Sequence, residues 1–135
     1  MVERLKKNDY IQYISLIKEV FGYEASIENI EKHTKDNTVL VIKKSNVIVA
    51  SVSIKEQNDF VKGQKYYFVS NLCVLKEYRR EGLASILFNE VDRLAEKNSI
   101  DYLLLTSGNQ RRAAHYFYKS RNFKIKDTTV FIKFY

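Results

Sequence analysis

The spacing of hydrophobic and polar positions changes several times along the chain, and each change marks an element. Ile11, Ile14, Ile17 and Phe21 recur at helical spacing, with Asn8 placed to cap and Gly22 to stop, so a first helix is expected there. A shorter helix follows over residues 26–33. Residues 39–42 then form an apolar run, residues 43–46 read as a turn, and residues 47–54 are rich in β-branched side chains, which predicts two antiparallel strands joined by a hairpin. Gln57, Asn58, Asp59 and Gly63 mark a loop. Residues 66–74 carry few charges and suit a strand in the middle of a sheet.

Beyond Gly82, the side chains of Leu83, Ala84, Leu87, Phe88, Val91, Leu94 and Ala95 draw one apolar stripe, with Asn89, Glu90, Asp92, Arg93, Glu96 and Lys97 opposite. This is the strongest helical signal in the chain. Asn98 and Ser99 end it, residues 102–105 read as a short buried strand, and Ser107, Gly108 and Asn109 form a loop before a helix over about residues 111–121. Residues 123–126 and 129–134 predict a final strand pair. A strand–helix–strand unit implies a parallel pair and hairpins imply antiparallel ones. The expected class is therefore α+β, a mixed, mainly antiparallel twisted sheet flanked by about four helices.

The 135 residues, 45% of them hydrophobic, support one core, so a single domain over residues 1–135 is expected. No apolar stretch is long enough to cross a membrane and no secretory pattern opens the chain, which points to a cytoplasmic protein without a membrane partner. The one cysteine, Cys73, excludes an intrachain disulfide and a multi-cysteine metal cluster, and no metal is expected. An excess of 23 Lys and Arg over 16 Asp and Glu, net +7, favours anionic partners. Its short clusters, Lys43-Lys44, Arg79-Arg80 and Arg111-Arg112, suit local anion sites better than nucleic acid, for which no binding motif is present.

The candidate chemistry sits where the strand of residues 66–74 meets the long helix. A helix amino terminus exposes unpaired amides and partial positive charge; Gly82 lets backbone approach a phosphate, Ala84 limits crowding, and Arg79 and Arg80 add charge. A pyrophosphate would suit this loop. It is neither a P-loop nor a dinucleotide fingerprint, since the closing Lys-Ser/Thr and two of three glycines are missing.

Arg79-Arg80-Glu81-Gly82-Leu83-Ala84 resembles the loop of the GNAT superfamily of acyl-CoA-dependent N-acetyltransferases: Arg or Gln, two variable residues, Gly, one variable residue, then Gly or Ala. Residues 72–78 resemble that family's fourth strand and following turn. Ala114-His115-Tyr116-Phe117-Tyr118 before Phe123 is similar to its later helix, with Asn122 in place of the usual Gly, and Ser107, Gly108 and Arg111 resemble one branch of it. Asparagine tolerates left-handed backbone, so that helix end can survive the change.

The resemblance implies an enzyme using acetyl-CoA as cosubstrate, with the backbone of Arg80, Glu81, Gly82, Leu83, Ala84 and Ser85 around the pyrophosphate, and Leu72 and Val74 pairing with the pantetheine arm. Arg111 and Ala114 are assigned to the same cosubstrate, Arg111 toward its 3′-phosphate or adenine region. A primary amine, in the first reading a small molecule, attacks the thioester directly in a ternary complex, and Tyr118 protonates the departing thiolate. Ser70 and Asn71 stand where many relatives carry a catalytic carboxylate, so the base is left among water, His115 and an acid from the first 65 residues. An acyl-cysteine route through Cys73 is disfavoured, because no histidine lies near it in sequence. Glu24, Glu28, Glu31 and Asp36 offer negative charge for a cationic acceptor. A protein or peptide amine, a non-catalytic acyl-CoA sensor and a homodimer stay open.

Overall fold

The computed structural model describes residues 1–135, which form two compact units, Met1–Leu105 and Thr106–Tyr135. The first unit holds a five-stranded sheet in sequence order: β1 (Val2–Arg4), β2 (Thr38–Lys44), β3 (Val47–Asp59), β4 (Gln64–Val74) and β5 (Tyr102–Leu104). Neighbours from β1 to β4 are antiparallel, and β4 and β5 are parallel. The unit also contains α1 (Tyr10–Phe21), α2 (Ile27–Thr34) and α3 (Leu83–Lys97), the last being the crossover that a parallel β4–β5 pair requires. The mixed α+β class, the hairpin and the parallel pair are as the pattern predicted.

Alternation along β2 and β3 gives the sheet two buried faces. Val39 and Val41 pair with Ser53 and Ser51 and pack beneath α1 and α2 with Tyr13, Leu16, Ile30 and Cys73. Leu40, Ile42, Ala50 and Val52 point the other way, where α3 packs across β2, β3 and β4 through Leu87, Phe88 and Val91, all fully buried.

Several details differ from expectation. Asn8 does not cap α1: the chain enters through a 3-10 turn over Lys7–Asp9, where buried Asp9 accepts the Lys6 amide at 3.0 Å and the Lys43 ammonium at 2.9 Å. The buried side of α1 is Tyr13 and Leu16, while Ile11 is 66% exposed; the tyrosine ring supplies apolar surface that an aliphatic count overlooks. β3 runs through Gln57, Asn58 and Asp59, because cross-strand pairing with Tyr66, Lys65 and Gln64 outweighs their loop propensity. β1 was not foreseen, three residues being too few to show a period. The turn between β2 and β3 is Ser45-Asn46, both at positive φ, the form whose twist matches a two-residue hairpin.

The second unit carries α4 (Arg112–Ser120). Asn122 takes φ 70° after it, with amide bonds from Asn122 to Lys119 O (3.1 Å) and Phe123 to Tyr118 O (3.0 Å), so asparagine does serve in glycine's place. The expected strands over 123–126 and 129–134 do not form. High β-propensity is expressed only against a partner strand, and no backbone hydrogen bond reaches residues 124–135.

Candidate active site

β4 is continuous with β3 on one side and only partly covered on the other. β5 pairs with Tyr66, Tyr67 and Phe68 alone, so residues 69–74 have no strand neighbour on that edge. One extra residue in β4 shifts the register between the Ser51–Cys73 and Ser53–Ser70 pairs, and Asn71, at φ 55° and exposed, lies in this bulge. Leu72 and Val74 follow it on the uncovered stretch. The parting of two strands leaves main-chain donors and acceptors that an extended ligand can pair with.

β4 leads through a 3-10 turn (Lys76–Tyr78) into the junction with α3. Arg80 at φ 67° and Gly82 at φ 77° both occupy left-handed backbone, which turns successive amides toward one side, and buried Leu83 anchors the first turn of the helix. No side chain caps α3. None of the amides from Arg80 to Ser85 donates a hydrogen bond within the protein; the first that does is Ile86, to Gly82 O at 3.1 Å. Six successive unengaged amides beside the positive end of a 15-residue helix form a cradle for an anion. Arg80, Glu81 and Gly82 are exposed, and Ala84 and Ser85 half-buried. Arg79 is partly committed elsewhere, its Nε donating to Val74 O at 3.1 Å, which ties the loop to the end of β4.

The α1–α2 face of the sheet contains a polar cluster that sequence reasoning missed. His33 Nε2 lies 2.9 Å from Ser53 Oγ, and Ser53 is the cross-strand partner of Ser70, next to the bulge. Burial holds the His33 imidazole below its usual pKa, with Asp36 opposing, so the ring is neutral near pH 7 and able to accept a proton. Burial pushes the neighbouring Tyr13 hydroxyl up, Cys73 adds to this, and the Ser53 and Ser51 hydroxyls counter it. The visible signal was in β3, where Ser51 and Ser53 interrupt an otherwise aliphatic strand at every second position on one face.

Cys73 is on the same face, but burial pushes its thiol up to about 12, so it is protonated at neutral pH and is no nucleophile. Three of the acids considered for an acceptor are already paired at the surface: Glu24 with Lys18 (3.9 Å), Glu28 with Lys32 (3.3 Å) and Asp36 with Lys55 (3.4 Å).

In the second unit, Arg111 precedes α4, and Ala114, His115 and Tyr118 are half-buried along it. The Tyr118 ring meets Phe117 and Phe123 edge-on at 5.7 and 5.6 Å. Burial raises its hydroxyl above the ordinary tyrosine value, and Arg111 pulls the other way. The group is a protonated phenol through neutral pH.

Residues 7–123 match the sequence profile of the acetyltransferase (GNAT) family. No curated protein matches the chain. Among solved structures, an acetyltransferase from Trypanosoma brucei is 18% identical, covers 99% of both chains and superposes with a TM-score of 0.83. A ribosomal-protein-alanine N-acetyltransferase from Brucella melitensis is 17% identical over 99% of both chains, with a TM-score of 0.84. An aminoglycoside 6′-N-acetyltransferase from Acinetobacter haemolyticus is 14% identical over 100% of this chain and 98% of its own, with a TM-score of 0.82. At these identities the likeness is one of fold.

Proposed function

Because this chain belongs to the acetyltransferase (GNAT) family, we propose that it transfers an acetyl group from acetyl-CoA to the primary amine of a small molecule by direct attack in a ternary complex. The observation that carries the reading is the run of unengaged amides from Arg80 to Ser85 at the end of the half-uncovered strand β4. These amides receive the pyrophosphate, with Arg80 adding charge and Arg79 bracing the loop. The backbone of Leu72 and Val74 pairs with the pantetheine arm, and Arg111 and Ala114 complete the cosubstrate contacts by family motif.

The thioester supplies an activated acetyl carbon. The amine nitrogen forms a bond to that carbon as the carbon–sulfur bond breaks; Tyr118 gives its proton to the sulfur, and the amine's proton leaves through the His33–Ser53 pair. An alkylammonium of pKa near 10 is only about one part in a thousand neutral at pH 7, and attack makes the nitrogen of that neutral fraction acidic, so a base that takes the proton as the bond forms assists the step. With Ser70 and Asn71 unable to act as bases, His33 is the group whose protonation state fits. The relatives of shared fold act on an aminoglycoside and on a ribosomal protein, so the fold leaves the acceptor open.

The test is a thiol-release assay with acetyl-CoA over a panel of polyamines, aminoglycosides, amino acids and peptides, alongside thermal unfolding. Acetyl-CoA is expected to raise the melting temperature, and Gly82→Val to abolish that rise, since a β-branched residue at φ 77° forces the cradle into another shape. No stabilisation of the wild-type protein by millimolar acetyl-CoA would overturn the proposal. Stabilisation without thiol release for any amine would replace it with an acyl-CoA-binding sensor.

A further inference from the structure

One concavity of the first unit lies away from the uncovered edge of β4. It is a cleft of about 310 Å³ between α1, the start of β3 and the chain leaving β4. Its floor is apolar: Leu16 and Ile48 are buried, Leu75 is half-buried, and Val47 is left 51% exposed. Gln12 Oε1 accepts the Ile48 amide at 2.9 Å and so braces α1 against β3, which fixes the width of the opening. The Leu75 amide donates to Val49 O at 2.8 Å, on the β3 side of β4, whereas the unpaired edge of β4 is on the β5 side.

The rim is acidic in a chain whose net charge is +7. Glu19 stands on α1 and Glu77 in the 3-10 turn after β4, both exposed. Neither is in an ion pair, although Lys18 reaches Glu24 and Lys32 reaches Glu28. No basic side chain lines the cleft, and Ser15 adds a hydroxyl able to accept a hydrogen bond. Two carboxylates above an apolar floor complement a cation that carries hydrocarbon: the charged head stays hydrated at the rim while its methylenes cover Val47 and Leu75. Size selects a small ligand, because the cleft is at the lower end of the roughly 300–1,000 Å³ of small-molecule pockets, whereas a protein partner needs about 1,000 Å² of contact.

We propose that this cleft binds a small alkylammonium ion, its head against Glu19 and Glu77 and its chain on the apolar floor, as a second amine site apart from the transfer centre. The site does not depend on which group takes the acceptor's proton, and its occupancy is read without turnover.

The probe is hexylammonium, with hexanol as its uncharged counterpart, each titrated into the full chain and followed by amide NMR. Hexylammonium should give saturable shifts at Ser15, Glu19, Ile48, Leu75 and Glu77, bind at least tenfold more tightly than hexanol, and weaken as salt rises. Glu19→Gln with Glu77→Gln should weaken it at least tenfold while leaving the fold and the stabilisation by acetyl-CoA unchanged, since both side chains are exposed. Shifts that do not saturate, equal affinity for hexanol, or unchanged affinity in the double variant would each overturn the site. Loss of thiol release in the double variant at saturating acceptor would make the cleft the acceptor pocket and overturn a second amine site.

Discussion

β3 presents two unlike faces, and the contrast separates what holds this protein together from what it does. Toward α3 the strand offers Ala50, Val52 and Ile54, and α3 answers with Leu87, Phe88, Val91 and Leu94; where β4 adds Tyr67, its hydroxyl is satisfied by Leu94 O and the Asn98 amide at the end of the helix. Toward α1 and α2 it offers Ser51 and Ser53, met by Tyr13, His33 and Cys73. Burying hydroxyls and an imidazole costs free energy unless each finds a partner, and an aliphatic face was available to the same strand. The α3 face is thus the stabilising one, and the polar face is the one to which the proposed mechanism assigns the amine's proton.

The contrast is broken most directly at Phe88, whose side chain is completely buried. Phe88→Ala should cost about 3–5 kcal/mol of stability, read by denaturant unfolding, through lost apolar burial and the cavity left behind. Below its unfolding transition the variant should retain acetyl-CoA-driven stabilisation. On the other face, His33→Gln keeps a hydrogen-bonding group near Ser53 while removing the proton acceptor. It should lower kcat about a hundredfold and bring back rate as pH rises and more amine is neutral, with the KM for acetyl-CoA little changed. Equal losses at every pH would make His33 a packing residue.

How much of this was legible in the sequence depends on whether the signal was local. The α3 stripe, the Gly22 and Asn122 helix ends and the Arg79–Ala84 loop are written in neighbouring residues, and the structure has each where expected. The bulge at Asn71 was not legible, since it exists only in the register between two strands. The His33–Ser53 contact spans 20 positions and joins a helix to a strand, so neither residue announces the other. The tail misled in the opposite direction: its β-propensity predicted strands over 123–126 and 129–134, but no strand forms there and no backbone hydrogen bond reaches residues 124–135.

A smaller effect sharpens the comparison through pH. The His33 pKa is held below its usual 6.5, so as pH falls through that value the unfolded chain takes up a proton that the folded chain refuses. Stability is therefore full above about pH 6.5 and declines below it. Asp9 acts in a separate window: burial alone would raise its pKa, but the hydrogen bond from Lys43 and the Lys6 amide bring it below 3.8, so its contribution is lost only in stronger acid. Urea unfolding as a function of pH should show both declines in the wild type, and His33→Gln should remove the upper one alone.

The smallest expected change bears on why the polar face is polar at all. Ser51 Oγ is fully buried and makes no hydrogen bond of good geometry, although Tyr13 is near. Leaving a buried hydroxyl unsatisfied costs about 1–3 kcal/mol, so Ser51→Ala should be neutral or stabilising by up to about 1 kcal/mol once the small void is counted. The matching change one step along the face, Ser53→Ala, removes the partner of His33 and should destabilise while lowering kcat. If both substitutions stabilise equally and leave turnover intact, the hydroxyls are incidental to the reaction and the two faces differ only in composition.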